Sequence, residues 1–234
     1  MKIPVSLLGI CLAACAARAD VVRCAPMGRI LIPDADVRIV PTVFTPGWIA
    51  RTPSGGHRPE ADGSRRWRIL EKGNGDAPNN GTDFLGRTSA KVVADGSLDV
   101  SIALETVASN VEQIASVVCA RFPLARYAGG KAVLDGGTEK PLPVAYEKGK
   151  IAVFRETVRS VAVFERDGRL AFTLRFPQPT PCYLQDNRAW NGDESRFFTL
   201  RISFDGKGRA PHLVRGDSFA LDFNIQTPSP VEYS

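Results

Sequence analysis

What this sequence has little of sets the first limits on its chemistry. Histidine occurs only at positions 57 and 212, far apart and outside any ligand-spaced cluster, so no metal site is expected. Cysteines follow no Cys-x-x-Cys spacing, and the chain lacks a Gly-x-Ser-x-Gly elbow, a Gly-x-Gly-x-x-Gly turn and a Walker loop. A Cys–His pair from Cys119 or Cys182 with His57 or His212 would need the fold to bring distant residues together. No cofactor is expected. The Glu-x-Asp-x-x-Glu array by which sandwich hydrolases set acids on one strand face is missing; Glu105, Glu112, Glu156 and Glu165 read as solvated carboxylates. No apolar run approaches the ~20 residues that span a bilayer, so no transmembrane segment is expected.

The first residues read as an export signal. Lys2 is the positive start, Ile3 to Ala17 is mostly apolar, and Ala17-Arg18-Ala19 forms an Ala-x-Ala cleavage site before Asp20. Residues 1–19 are therefore expected to be a signal peptide and 20–234 a single domain, periplasmic or extracellular. Leu12-Ala13-Ala14-Cys15 also resembles a lipobox, the alternative being a lipid anchor at Cys15. Cleavage after Ala19 leaves Cys24, Cys119 and Cys182, an odd number that allows one bridge at most; buried thiols are the expectation, with pairing open. It also removes Lys2 and Arg18, leaving 28 basic against 25 acidic side chains, too small and scattered an excess for a nucleic-acid partner.

What the sequence has in quantity is period-two alternation. Leu98, Val100, Ile102 and Leu104 alternate with Asp99, Ser101, Ala103 and Glu105. The same template recurs at Leu170–Phe176, Phe198–Phe204 and Phe219–Ile225. Asp95-Gly96, Asp167-Gly168 and Asp205-Gly206 mark tight turns beside these runs. Further strands are expected near 29–40, 66–70, 116–122, 131–134, 151–155 and 161–164, and a helical turn over Asn110 to Ser116. These elements predict an all-β fold, a mostly antiparallel β-sandwich with few or no helices beyond the signal peptide. From Thr45 to Ser89 the chain is rich in Gly, Pro, Asn and Arg and reads as a long decorated loop or an edge region, with surface turns at Gly73–Asp76 and Asn79–Gly81.

Two segments carry binding chemistry. Tyr183 to Asn191 places Tyr183 and Trp190, which suit a pyranose face, beside Asp186, Asn187 and Arg188, which suit its hydroxyls. The bland alternative is that Asp186 pairs with Arg188 to hold the loop while Trp190 covers a sheet edge. The second segment centres on Trp67 and Arg68 within Arg65-Arg66-Trp67-Arg68, with Arg51, His57 and Arg58 nearby, and suits carboxylates or sulfates. Its alternative is a strand with Trp67 and Ile69 inward and Arg66 and Arg68 in water.

The runs RLAFTLRF, PCYLQDNRAW, RFFTLRISF and SFALDFNI, between Val161 and Ile225, resemble β-sandwich regions of large secreted bacterial glycosidases, some of them similar to the galactose-mutarotase supersandwich. The likeness is most specific at Gln185-Asp186-Asn187-Arg188 and extends more loosely over Gly81 to Leu134. It implies an accessory domain, a fragment of a longer architecture or a diverged relative; no catalytic barrel follows before Ser234, and no catalytic residue carries over. The expected function is thus a secreted, non-catalytic module that binds polysaccharide or packs on a glycosidase domain. The alternatives are a glycoside hydrolase or lyase with acids on a sheet face, and a cell-surface adhesion domain with a protein partner.

Overall fold

The computed structural model describes residues 20–70, 83–190, 192–204 and 206–234. The signal residues 1–19 with Cys15, the turns at Gly73–Asp76 and Asn79–Gly81, Asn191 and Asp205 lie outside the described residues.

The chain is all-β. Its first strands are β1 (Asp20–Ala25), β2 (Arg29–Ile32), β3 (Val37–Thr45), β4 (Ile49–Arg51), β5 (Gly55–Pro59) and β6 (Arg65–Leu70). Next come β7 (Asp83–Val92), β8 (Leu98–Thr106), β9 (Asn110–Glu112) and β10 (Ala115–Pro123), then one short helix, α1 (Leu124–Tyr127). Then follow β11 (Lys131–Leu134), β12 (Thr138–Pro141), β13 (Ala152–Phe164) and β14 (Leu170–Asp186). The last strands are β15 (Phe197–Ser203), β16 (His212–Val214), β17 (Ser218–Gln226) and β18 (Val231–Tyr233).

Sixteen of these strands form one sheet, whose main path runs β18-β1-β2-β3-β10-β15-β14-β17-β8-β7-β6-β5. β4 extends the sheet beside β3, β13 pairs with β14, and β11 and β12 continue from β13, while β9 and β16 make a separate ribbon. Among the described strands only β1 and β18 pair in parallel. The four alternating runs became β8, the first part of β14, β15 and β17, and apart from Leu170, where the β13–β14 register slips and Ala171 is buried instead, their Leu, Ile, Val and Phe side chains enter one continuous core. Phe122 stands at a crossing there, with ring centroids 4.9 Å from Tyr127, 6.0 Å from Phe172 and 5.8 Å from Phe198. The Asp95 turn closes the β7–β8 hairpin, its carboxylate accepting from the Ser97 backbone N–H at 3.0 Å and hydroxyl at 2.6 Å.

The sandwich is one curled sheet whose two ends meet. The Trp67 indole, on β6, is fully buried and donates from Nε1 to Thr88 Oγ1 at 3.0 Å. Thr88, on β7, donates in turn to the Gly28 carbonyl at 3.2 Å, between β1 and β2. Only glycines leave room for this ring. A Cβ on Gly28 would lie 2.0 Å from Trp67 Nε1, and one on Gly86, the register partner of Trp67, 2.1 Å from its Cζ3. Gly28 also sits at φ +66°, where other residues are strained. Burying roughly 200 Å² of indole contributes about 5 kcal/mol at ~25 cal/mol per Å².

Three expectations are corrected. Asn110 to Ser116 is not a helical turn; it forms β9 and the start of β10, whose backbone groups are taken by β16, β3 and β15. The separate strands at 151–155 and 161–164 are one strand, β13, whose register against β14 slips between Val158 and Ser160. Glu165 is not a solvated carboxylate but a buried one. Of the two readings of region 45–89 the edge region is the one found: within its described residues β4 pairs only with β3, β5 ends the sheet, and β6 joins β5 to β7. Cys24, Cys119 and Cys182 are all free and buried.

At the β13–β14 hairpin the buried Glu165 accepts from Arg126 Nη2 at 2.7 Å and Arg169 Nη2 at 3.1 Å. The Arg126 hydrogen bond, ahead of the opposing effect of burial and the bond from Arg169, holds its carboxyl below the ordinary carboxylate range. A depressed folded pKa gives stability that is present above the unfolded value, about 4.3, and lost as pH falls through the folded one. Glu165→Gln is therefore expected to flatten acid destabilisation below about pH 4, checked by urea titrations across pH. Gly86→Ala is expected to cost about 3 kcal/mol by overpacking and Thr88→Val about 1 kcal/mol by stranding the indole N–H, both read from denaturant midpoints.

Candidate functional site

The strands that turn one side to the core turn the other outward, and over β3, β10, β15, β14 and β13 that outer face is not a plain solvated surface. In β10, Val118, Ala120 and Phe122 enter the main core. Val117 and Cys119 point the opposite way and join Phe44 of β3 in a second, separate apolar cluster. Register sets the polar groups beside it. Across the sheet, Cys119 is level with Arg201, Arg201 with Tyr183, and Tyr183 with Arg155. One pleat along, Arg121 is level with Thr199 and Thr199 with Gln185.

Phe44, Cys119 and these polar side chains line a groove of about 430 Å³, to which two tryptophans, Trp48 and Trp190, also contribute. Trp48 comes from the Pro46–Trp48 turn joining β3 to β4 and is 59% exposed. It is held at φ +60°, a left-handed conformation that costs a side-chain-bearing residue about 1–2 kcal/mol. Trp190 follows the 3₁₀ turn Asn187–Ala189 after β14 and is 48% exposed. Phe44 meets Trp48 edge-on, with centroids 5.7 Å apart. The Arg201 guanidinium lies 4.3 Å from the centre of the Phe44 ring and 5.6 Å from that of Trp48, and Arg155 lies 4.5 Å from that of Tyr183.

Several polar atoms of the lining side chains have no partner. Gln185 and Asn187 are each only 4% exposed, yet Gln185 Oε1 and Asn187 Oδ1 accept nothing, and Arg121 Nε and Arg201 Nε donate to nothing, among the described residues. The Asn187 amide is oriented by its Nδ2, which donates to Thr199 Oγ1 at 2.8 Å. Buried unpaired polar atoms are costly, and these four belong to side chains that line one groove. Burial pulls the Arg201 pKa below the usual guanidinium range, partly offset by Cys119 and Tyr183.

The sequence candidates divide sharply. Tyr183, Asn187 and Trp190 line the groove. Asp186 is buried and spends itself on Arg188, accepting from its Nε at 2.9 Å and Nη2 at 2.6 Å. Arg188 also donates to the carbonyls of Val144 at 2.7 Å and Pro143 at 2.9 Å, so this pair fastens the loop. Trp67 is removed as a ligand residue because its ring is wholly enclosed. Arg68 leaves the site too, its guanidinium forking onto Asp83; Arg58 and Arg66 both pair with Glu60 at 3.0 Å. Sequence reasoning missed Trp48, Phe44, Arg121, Arg155 and Arg201. The arginines sit at polar positions of strands, where solvent is the usual neighbour, while Pro46-Gly47-Trp48 was the one local signal: a tight turn that presents an aromatic.

Among the described residues that line the groove the one carboxylate is Glu194. Burial pushes the Cys119 thiol up despite a hydrogen bond with Thr42 and the nearby Arg121 and Arg201, and pushes Cys182 up to about 12, so neither is a ready nucleophile. His57 and His212 are exposed on β5 and β16, and neither lines it. Among the described residues no three His, Cys, Asp or Glu side chains gather to hold a metal, and no helix is long and apolar enough to cross a membrane. A depression of about 650 Å³ on the outer face of β7, β8 and β17 contains Asp99 and Asp222, but its described lining has no tryptophan or tyrosine. Comparison with family models, with curated proteins and with solved structures finds no match to this chain.

Removing Asp186 would leave the largely buried Arg188 charge with the Val144 and Pro143 carbonyls but no carboxylate. Asp186→Ala is expected to destabilise the protein by about 3 kcal/mol, and proteolysis should then cut first between Pro143 and Trp190.

Proposed function

We propose that this chain is an exported, non-catalytic module that binds carbohydrate in the groove lined by Trp48 and Trp190, and serves polysaccharide degradation. The observation that carries this reading is the pairing of two half-exposed tryptophans with buried, unpartnered amide and guanidinium atoms of side chains lining one groove. A pyranose has an apolar face for an indole and a rim of hydroxyls for such atoms, so both halves of the groove find use in one ligand. The Asn187 amide is oriented by Thr199 before any ligand arrives, which lowers the ordering cost of binding. The leader-like residues 1–19 and the likeness to glycosidase-associated sandwiches support an extracytoplasmic setting.

A binding role is favoured over hydrolysis by the acids. Among the described residues the carboxyls with displaced pKa values, Asp62, Asp95 and Glu165, are displaced downward by hydrogen bonds from Ser64, Ser97 and Arg126 respectively. A glycosidase proton donor needs the opposite displacement. A protein partner is the second reading, favoured by Trp48, Ile49 and Ile114 standing exposed near the end of β3.

Titration with soluble glycans, followed by tryptophan fluorescence, tests the first reading. A glycan ligand is expected to shift the emission, and Trp190→Ala and Trp48→Ala should each weaken binding about tenfold. An unchanged spectrum across neutral and acidic glycans would sink it.

A further inference from the structure

The groove has a charge imbalance of its own. Its acids are engaged: Glu194 binds Arg121 at 2.7 Å, and Glu156, on the flank beside Arg155, binds Lys140 at 3.2 Å. Arg155 and Arg201 are different. Among the described residues neither meets a carboxylate; Arg155 rests on Tyr183, and Arg201 rests on Phe44 and Trp48. Arg201 is also partly desolvated, with Nε buried and unbonded. A guanidinium stacked on an aromatic face leaves its terminal Nη donors, the ones Arg201 has besides its buried Nε, to meet a carboxylate or sulfate.

The buried amides divide the work. Gln185 Oε1 and Asn187 Oδ1 are acceptors without donors, fitted to sugar hydroxyls and unfit to hold an anion. The negative group therefore falls to the arginines. Arg155 and Arg201 each pair in register with Tyr183, from opposite sides, so their Cα atoms stand two strand spacings apart, about 10 Å. That is the scale of a disaccharide, not of a single small anion.

We infer that the groove selects acidic glycans, with carboxylate or sulfate groups held by Arg155 and Arg201 while sugar hydroxyls donate to Gln185 and Asn187. The inference rests on the carbohydrate-binding reading and adds the ligand class to it. Ion pairing at the partly desolvated Arg201 offsets its burial, so the anion strengthens a site that neutral sugars fill incompletely.

The test is affinity electrophoresis of the chain through gels containing polygalacturonate, dextran sulfate or neutral dextran. Retardation is expected with polygalacturonate or dextran sulfate, whichever anion fits, and at least tenfold less with dextran. Arg155→Gln, at an exposed position, and Arg201→Lys should each weaken the acidic-glycan interaction about tenfold, and Trp190→Ala should weaken it as well. Equal retardation by neutral and acidic gels, lost in Trp190→Ala and unchanged in both arginine variants, would overturn the selectivity and keep the carbohydrate site. Retardation by dextran sulfate that survives Trp190→Ala and disappears with salt would overturn it as unspecific attraction. No retardation in any gel would overturn both.

Discussion

An enclosed indole sits where this architecture closes. Trp67 lies where the two ends of a long curled sheet approach, pressed between glycines at 28 and 86 and joined through Thr88 to the carbonyl of residue 28. A sheet of this many strands would otherwise twist open and leave both its inner surface and its margins to water. Because the ends meet, the Leu, Ile and Phe residues of distant strands share one interior. The outer surface of the middle strands is thereby fixed in curvature and register, and the groove is built on that surface.

The middle strands also explain why the groove is pre-formed. β10 and β15 lie at the centre of the path with hydrogen-bonded neighbours on both sides, so their outward residues have little freedom to rearrange. Phe44, Val117 and Cys119 give that outer face an apolar base, and a base of this kind strengthens the polar contacts above it by excluding water. The loop bearing Trp190 is anchored separately, through the Asp186–Arg188 pair and two carbonyls in the 143–144 segment. Scaffold and loop thus contribute in different ways: the strands place donors and acceptors, and the anchored loop places an aromatic wall.

Much of the fold could be read from residue order. The alternating runs at 98–104, 172–176, 198–204 and 219–225 became strands with the expected side inward, because a period of two leaves a half-buried strand no other stable orientation; Leu170, beside a register slip, is the exception. β10 was harder. Val117, Val118, Cys119 and Ala120 are apolar in succession, so nothing in their order reveals that two faces are being covered, one by the core and one by the groove. Trp48 and Trp67 show the same limit. One is enclosed and one presented, and only the ends of a sheet assembled from distant segments decide which. Arg201 reads as an ordinary solvent-facing residue until pairing with β10 and β14 sets it between Cys119 and Tyr183.

The side-by-side placement of β1 and β18 has a consequence for how the molecule is made. Residues 20–22 pair with 231–233, and β3 pairs with β10, which pairs with β15, so the ladder is stitched from stretches far apart in the chain. Such non-local pairing slows folding and delays it until the distant pieces coexist. During synthesis the earliest strand has an unmet edge until the latest one emerges, and a waiting edge invites the wrong neighbour. A chaperone that shields β1 over that interval would act at the point where this topology is most vulnerable.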